Sequence, residues 1–305
     1  MSKRFDVLGI GCTTVDDFLY IDRFPTADDK TEVTRSSRQC GGLTATALVA
    51  ASKLGAKCAY GGVLGTNDLS KFVLAILEKE NIDTSLVSYE NTASPIHSTV
   101  IVGDRGETRN IFFEISGKTG PSDDLPTADD IRSARVLFLD HYGAIGGIRA
   151  SEIARQANIP IVADFERDNI LHFAKLSGLV DHLILSESFA LKNTAAKTAS
   201  EAVDLLWNRE RSLVAVTCGS NGCWYRDSTL ERPVHQPAFL VDVVDSTGCG
   251  DVFHGAYAAA LARGAGSGER ITFASAAAAI KAQTAGGQTG IPKLTEVESF
   301  LKTYR

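Results

Sequence analysis

The sequence predicts an α/β fold: a mostly parallel central sheet with helices on both faces, plus a small β-sheet lid. Three observations point there. Short apolar runs alternate with segments of helical period along most of the 305 residues, four of those runs end on a polar residue, and two hairpin-like regions break the alternation. With 44% hydrophobic residues the chain has ample core material, and its length suits two domains or a single large α/β domain over 1–305 equally.

Taken in order, the first strand is expected from Phe5 to Gly11. Leu43, Ala47, Ala50 and Leu54 then recur at helical spacing before Gly55, a natural stop, and a second strand follows at 57–63. Asp68 is expected to cap the next helix, whose Leu69, Phe72, Val73, Ile76 and Leu77 fit one apolar face. Segments 17–22 and 32–37 flank a turn at Pro25, Asp28 and Asp29, and 97–102 and 108–113 flank Gly103-Asp-Arg-Gly106. Four strands without intervening helices are expected to form the lid, drawn from about 17–37 and 97–113. A lid over a sheet rim is a way to exclude water from a reaction.

Runs at 135–139, 159–163, 183–185 and 213–216 have the length of buried parallel strands, each expected to lead into a helix. Asp140, Asp164, Ser186 and Thr217 follow them and would stand at the carboxyl ends, the rim where open α/β sheets place ligands; equally, they are simply where polar loops begin. Thr198-Ala-Ser-Glu201 reads as a capping box. The Ala-rich stretches 251–263 and 268–284 read as closely packed helices, the second ending at Gly286-Gly287, and Val297, Phe300 and Leu301 mark a last one.

Charge and cysteine content narrow the function. Thirty-one Lys and Arg against thirty-seven Asp and Glu leave −6, no footprint for a non-specific nucleic-acid binder or a membrane surface. Six cysteines, at 12, 40, 58, 218, 223 and 249, form no Cys-x-x-Cys pair and have no zinc-spaced histidines, which fits a reduced cytoplasm. The apolar stretch from Phe5 is broken by Asp6 and ends at Asp16 and Asp17, too polar for a signal peptide. No apolar run reaches the roughly eighteen residues of a membrane span.

The stretch with most chemistry is Val243-Val-Asp-Ser-Thr-Gly-Cys-Gly-Asp-Val-Phe-His-Gly255, a glycine-rich loop running directly into a helix. The amides of Gly248, Cys249 and Gly250 can converge on one spot at the helix N-terminus, an anion cradle with Asp251 on its lip. Amides that stabilise a transferring phosphoryl group, beside a carboxylate that accepts a hydroxyl proton, would divide the labour of a phosphotransferase. Asp251 read by itself can also be a carboxylate that merely satisfies orphan helix amides.

The segment Asp245-Ser-Thr-Gly-Cys-Gly-Asp251 resembles the Asp-Thr-x-Gly-Ala-Gly-Asp motif of the ribokinase-like, or PfkB, carbohydrate kinases, and Gly41-Gly42 before an Ala-rich helix resembles that family's other signature. The likeness spans nearly the whole chain. It implies a ribokinase-like fold and an enzyme that moves the γ-phosphoryl group of ATP, as a magnesium complex, to a hydroxyl of a small sugar, with Asp251 as general base. It further implies that Asp16, Gly41, Gly42, Thr46 and Asp140 hold the acceptor and that Ser186, Thr217, Gly219, Gly222, Gly287 and Gly290 hold ATP. Magnesium is expected to be held mainly through water, with Glu187, Asp164 or Glu166 in its outer shell, and Asp245 and Thr247 are implied for a monovalent cation such as K+. No Walker A sequence and no dinucleotide fingerprint is present, which weakens rival nucleotide folds.

Departures from the family pattern fall around the acceptor and the phosphates. Thr14 and Thr46 stand where asparagine is usual, Cys249 replaces alanine, Ser186-Glu-Ser-Phe189 degrades an Asn-x-x-Glu motif, and Asp164-Phe-Glu-Arg-Asp168 matches only loosely. In scaffold, the stretch from His235 to Gly255 looks most like a bacterial branch with fructose-type and sulfofructose-type kinases. Lys30, Arg105 and Arg109 in the lid can meet an anionic acceptor or simply be solvated, and His141 can line the pocket or be a satisfied loop histidine. Uncovered lid strands would suit a homodimer paired lid to lid. The alternatives are a nucleoside kinase on the same scaffold and a non-catalytic sugar- or nucleotide-binding regulator.

Overall fold

The computed structural model describes residues 3–103 and 108–304. The strands and helices in chain order are β1 (Phe5–Gly9), β2 (Thr14–Tyr20), β3 (Arg35–Gly41), α1 (Leu43–Lys53), β4 (Cys58–Tyr60), β5 (Val63–Leu64), α2 (Asp68–Lys79), β6 (Ser88–Tyr89), β7 (Ile96–Gly103) and β8 (Thr108–Glu114). Then follow α3 (Ala128–Arg132), β9 (Ala134–Asp140), α4 (Ala144–Gln156), β10 (Ile161–Asp164), α5 (Phe173–Gly178), β11 (His182–Ser186), α6 (Glu187–Thr194) and α7 (Ala199–Leu206). The last are β12 (Leu213–Thr217), β13 (Cys223–Asp227), β14 (Val234–Gln236), α8 (Cys249–Ala262), α9 (Ser267–Ala282) and α10 (Leu294–Thr303).

Eight strands form the main sheet in the order β14-β13-β12-β11-β10-β9-β1-β4, parallel from β4 to β12. Its two faces are buried separately, as the period of two along each strand requires. Val7, Val136, Phe138 and Val162 turn into the core under α1, α8 and α9, whereas Leu8, Leu137, Leu139 and Ala163 turn into the core under α4, α6 and α7. Helices therefore cover both faces, as expected. The exception is the far edge: β12 is followed by a 3-10 turn at Gly219–Asn221 and the antiparallel β13, not by a helix.

The lid is a four-stranded sheet in the order β3-β2-β7-β8. Its strands are shifted from the expected bounds: β2 begins at Thr14 and β3 runs on to Gly41, so the lid feeds directly into α1. Antiparallel β2–β3 pairing sets Asp16 opposite Gln39, and parallel β2–β7 pairing sets it beside Ser98. The expected hairpin turn after Gly103, with Arg105, lies outside the described residues.

Two caps differ from expectation. Asn67, not Asp68, caps α2, its Oδ1 accepting from Ser70 N at 2.8 Å. At α7 the Thr198 hydroxyl accepts from Glu201 N, but the Glu201 carboxylate accepts from Lys197 N at 2.8 Å, one residue short of a reciprocal box. All six cysteines are free, and all but Cys249 are buried. Among the described residues, no helix is long and apolar enough to cross a membrane.

Candidate active site

Asp140, Asp164, Ser186 and Thr217 are the last residues of β9, β10, β11 and β12, so register alone gathers them on one rim: Asp140 pairs with Asp164 and Ser186 with Thr217. Above that rim begins α8. Gly248 caps it at φ 75°, a left-handed conformation that favours glycine, and a Cβ there would lie 2.5 Å from the carbonyl oxygen of Gly287. The Cys249 amide donates to Ser246 O at 3.2 Å, so this member of the expected cradle is engaged within the turn. The Gly250 amide belongs to the first helical turn, where donors lack intrahelical partners, and no atom lies within 4 Å of a Cβ built on Gly250. The mouth of the cradle is thus open at Gly250.

Asp251 is the third residue of α8 and is half-buried. Desolvation pushes its carboxyl well above the ordinary range, and the charges of Asp164, Glu166, Asp140 and Asp16 push the same way. Those neighbours come from β10, the loop after it, β9 and β2, so five acidic groups share one electrostatic neighbourhood. Glu166 is raised to about 7, first by desolvation and then by Asp164. The helix reaches this depth because Gly255 meets α1: a Cβ there would be 2.1 Å from Ala47 O. His254 pins its first turn to the sheet, with Nδ1 2.8 Å from Gly250 O and 3.2 Å from Asp164, and Nε2 3.0 Å from Ile184 O.

On the lid side, Asp16 Oδ2 accepts from the Thr14 hydroxyl at 3.0 Å. A Cβ on Gly41 would lie 2.4 Å from the same oxygen, so Gly41 makes room for this carboxylate, and Gly42 is the N-cap of α1. Burial raises the Asp16 carboxyl, opposed by hydrogen bonds from Ser98 and Thr14. Thr46 is 2% exposed and its hydroxyl accepts from Gln288 Nε2 at 3.3 Å, which places it against the 285–290 loop.

Asp140 departs from the expected substrate contact. It is 1% exposed, and its oxygens already accept from Cys12 N (2.7 Å), the Thr44 hydroxyl (2.8 Å) and Tyr142 N (2.9 Å). It thereby holds the β1–β2 junction against α1. Asp140→Ala leaves two buried donors, Cys12 N and the Thr44 hydroxyl, and the part-buried Tyr142 N without their partner, so a stability loss of about 1–3 kcal/mol is expected in urea unfolding. A midpoint equal to wild type would contradict this.

A cavity of about 500 Å³ opens beside the cradle, lined by Thr217, Gly219, Gly222, Ser246, Cys249 and Gly250 and walled by the small side chains Ser275, Ala278, Ala279 and Ala282 of α9. Its outer wall is the 238–243 stretch, where Leu240 is 83% exposed. This wall and the α9 alanines carried no sequence signal beyond close packing. Gly287 and Gly290 do not line this cavity. Gly287 O packs on Gly248, its amide donates to Gln39 Oε1 at 3.2 Å, and a Cβ on Gly290 would meet Thr284 at 2.5 Å. Ser186 likewise caps α6 rather than lining the cavity, and Glu187 lies against the Cys218 thiol.

Asp245 and Thr247 turn inward. Asp245 Oδ1 accepts from Thr247 N (2.8 Å) and its hydroxyl (2.6 Å), and Oδ2 accepts from Gly286 N (2.8 Å). Desolvation would raise the Asp245 carboxyl, but these hydrogen bonds together hold it below its usual range. From the lid, Arg109 reaches Thr247 and lies 3.8 Å from Asp245. It is thus engaged by the cradle loop, while Lys30 is exposed. His141 is buried, its Nδ1 3.5 Å from Glu166 N, with no hydrogen-bond partner for Nε2 among the described residues.

A strand-end carboxylate cluster facing a helix-start anion cradle, with a ligand-sized cavity alongside and a β lid above, is a layout suited to phosphoryl transfer. The family can be stated more closely. The chain belongs to the pfkB family of carbohydrate kinases, whose profile matches residues 6–294, and it is accordingly a phosphotransferase with a hydroxyl acceptor. Relatives include fructokinase-1 of Zea mays, 27% identical over 86% of this chain and 88% of that one, and a ribokinase of Haemophilus influenzae, 26% identical over 86% and 87%. The fold is that of the Arabidopsis thaliana ribokinase solved with ribose and ATP, at a TM-score of 0.86 and 23% identity over 99% of each chain.

Proposed function

We propose that the protein transfers the γ-phosphoryl group of Mg-ATP directly to a hydroxyl of a small sugar, with Asp251 as general base. The observation that carries this reading is the position of Asp251: a carboxylate of raised proton affinity on the lip of a cradle that opens into the cavity. The nucleotide base lies in the slot between the 238–243 wall and the α9 alanines, with its phosphates toward Gly248 and Gly250. Asp16 accepts hydrogen bonds from acceptor hydroxyls beside Gly41 and Gly42. Asp251 takes the proton of the attacking hydroxyl as its oxygen bonds to the γ-phosphorus and the bond to the ADP oxygen breaks, while the amides receive charge on the phosphoryl oxygens. Relatives named fructokinase and ribokinase support a sugar as acceptor.

Magnesium fits the site as an ion carried by nucleotide. Among the described residues, no three His, Cys, Asp or Glu converge as a metal-ligand set, while Asp164, Glu166 and Asp251 crowd negative charge at the rim. Such an ion takes one or two carboxylates and fills the rest with phosphates and water, so Glu187, Asp164 and Glu166 would hold it mainly through water. Its chemistry there is to neutralise phosphate charge.

We place the enzyme in the cytoplasm and assign all 305 residues to one kinase unit, working as a homodimer through the lid. The apolar β8 residues Ile111, Phe112 and Phe113 are exposed, as is Ile115 just beyond, and β8 is an edge strand. Light scattering at micromolar concentration is expected to give twice the chain mass; one chain's mass would remove the dimer.

The test of function is ADP release from Mg-ATP over ketoses, aldoses, sugar acids, sugar phosphates, sulfosugars and nucleosides. At least one sugar is expected to drive release. A response confined to nucleosides would move the assignment to a nucleoside kinase, and silence across the panel would favour a binding-only protein.

A further inference from the structure

Lys281, in the last turn of α9, is wholly buried. Its ammonium donates to two backbone carbonyls, Asp245 O at 3.0 Å and Thr284 O at 3.5 Å. Taking an ammonium out of water costs several kcal/mol, so a buried lysine requires matched partners. Here the match comes from the two carbonyl oxygens, the nearby Asp245 carboxylate and the C-terminal end of α9, where a helix favours positive charge. Burial draws the ammonium's pKa down and Arg109 pushes the same way, while Asp245 and Asp251 oppose that.

Asp245 and Thr247, the pair expected to hold a monovalent ion, do not fit one. The Asp245 carbonyl faces the Lys281 ammonium, and its two carboxylate oxygens accept from Thr247 and Gly286. The Thr247 hydroxyl donates its hydrogen bond to Asp245 Oδ1, and Arg109 donates to the same hydroxyl from the lid. The Asp245 carbonyl, both its carboxylate oxygens and the Thr247 hydroxyl are each engaged by a partner from this chain.

We propose that the Lys281 ammonium is the built-in cation of this loop, standing where a monovalent metal ion would otherwise gather the carbonyls, so that the enzyme is indifferent to potassium. The inference builds on the kinase reading, because its consequence is catalytic. Asp245 O lies at the start of the turn that forms the cradle, and Thr284 O begins the loop whose Gly287 packs on Gly248. Val244 N and Asp245 N both donate to Ala282 O, one residue beyond the lysine, which fastens the same junction. Lys281 is therefore a positioning residue: tethered, it holds the Gly248–Gly250 amides in place at any salt composition, where a diffusible ion would do so only when bound.

The experiment compares melting temperature and acceptor-dependent rate of wild type and Lys281→Ala in KCl, NaCl and tetramethylammonium chloride at equal ionic strength. Wild type is expected to behave alike in all three salts. Lys281→Ala is expected to lose about 10–100-fold in rate, the range for removing a group that orients a site from behind. Potassium chloride should restore part of its rate and raise its melting temperature, whereas tetramethylammonium, too large for the space an ammonium vacates, should do neither. Specific activation or thermal stabilisation of wild type by potassium would overturn the proposal, as would a Lys281→Ala protein equal to wild type in every salt. If the variant does not fold, the wild-type comparison still decides. If no acceptor supports turnover, the kinase reading fails and the melting temperatures still test the cation.

Discussion

Asp251→Asn is expected to lower kcat by about 10²–10⁴-fold, the range for losing a general base, with little change in the KM of ATP or of the acceptor. The amide keeps the shape of the carboxylate but cannot take a proton, so binding survives while transfer does not. In wild type the rate falls as pH drops and Asp251 becomes protonated. Because desolvation and the charges of Asp164, Glu166, Asp140 and Asp16 raise its carboxyl, that acid limb stands above the ordinary carboxylate range. The same shift has a stability consequence. A carboxyl raised on folding favours the folded state fully below its unfolded pKa and loses that contribution as pH rises through its folded value. Wild type at neutral pH thus bears the cost of ionising Asp251 beside its neighbours, and Asn removes that cost. The variant should melt no lower than wild type at neutral pH; a variant that is both inactive and several degrees less stable would point to misfolding rather than to a missing base.

Gly248→Ala is expected to be nearly as damaging, through geometry instead of charge. The residue is left-handed at φ 75°, and an added Cβ would approach Gly287 O to 2.5 Å. The backbone conformation alone costs roughly 1–2 kcal/mol for a residue with a Cβ, before the contact is relieved. Relief requires the turn to move off the 285–290 loop, which misaims the amides. Losing one such donor typically costs about 10²–10³-fold in kcat. The acid limb of the pH profile should persist, because Asp251 is untouched. Near-normal kcat in Gly248→Ala would remove this turn from the phosphoryl site.

What could be read from sequence follows from how local each signal is. The strand ends at Asp140, Asp164, Ser186 and Thr217 were readable because each apolar run stops abruptly on a polar residue. The start of α8 was readable because a glycine-rich turn before an Ala-rich helix is a local pattern. Long-range partners were not. Asp140 looked like any rim carboxylate until Cys12, Thr44 and Tyr142 were seen to fill it, and those donors come from three places in the chain. Gly287 and Gly290 look like a ligand loop in sequence, yet their partners are Gly248, Gln39 and Thr284. The hairpin after β12 did have a signal, since Gly219 and Gly222 both have positive φ and bracket a tight turn. Lys281 had none: in an Ala-rich helix, a lysine's burial depends on what packs over that face.

The account rests on Asp251 serving as base in a transfer to a sugar hydroxyl, and the most direct measurement is a ³¹P time course of Mg-ATP with the responding sugar, run with wild type and with Asp251→Asn. Wild type should build a phosphate monoester of the sugar in step with ADP, and the variant should build it about 10²–10⁴-fold more slowly. Monoester formed at an undiminished rate by Asp251→Asn, or ADP and inorganic phosphate without monoester from wild type, would contradict it.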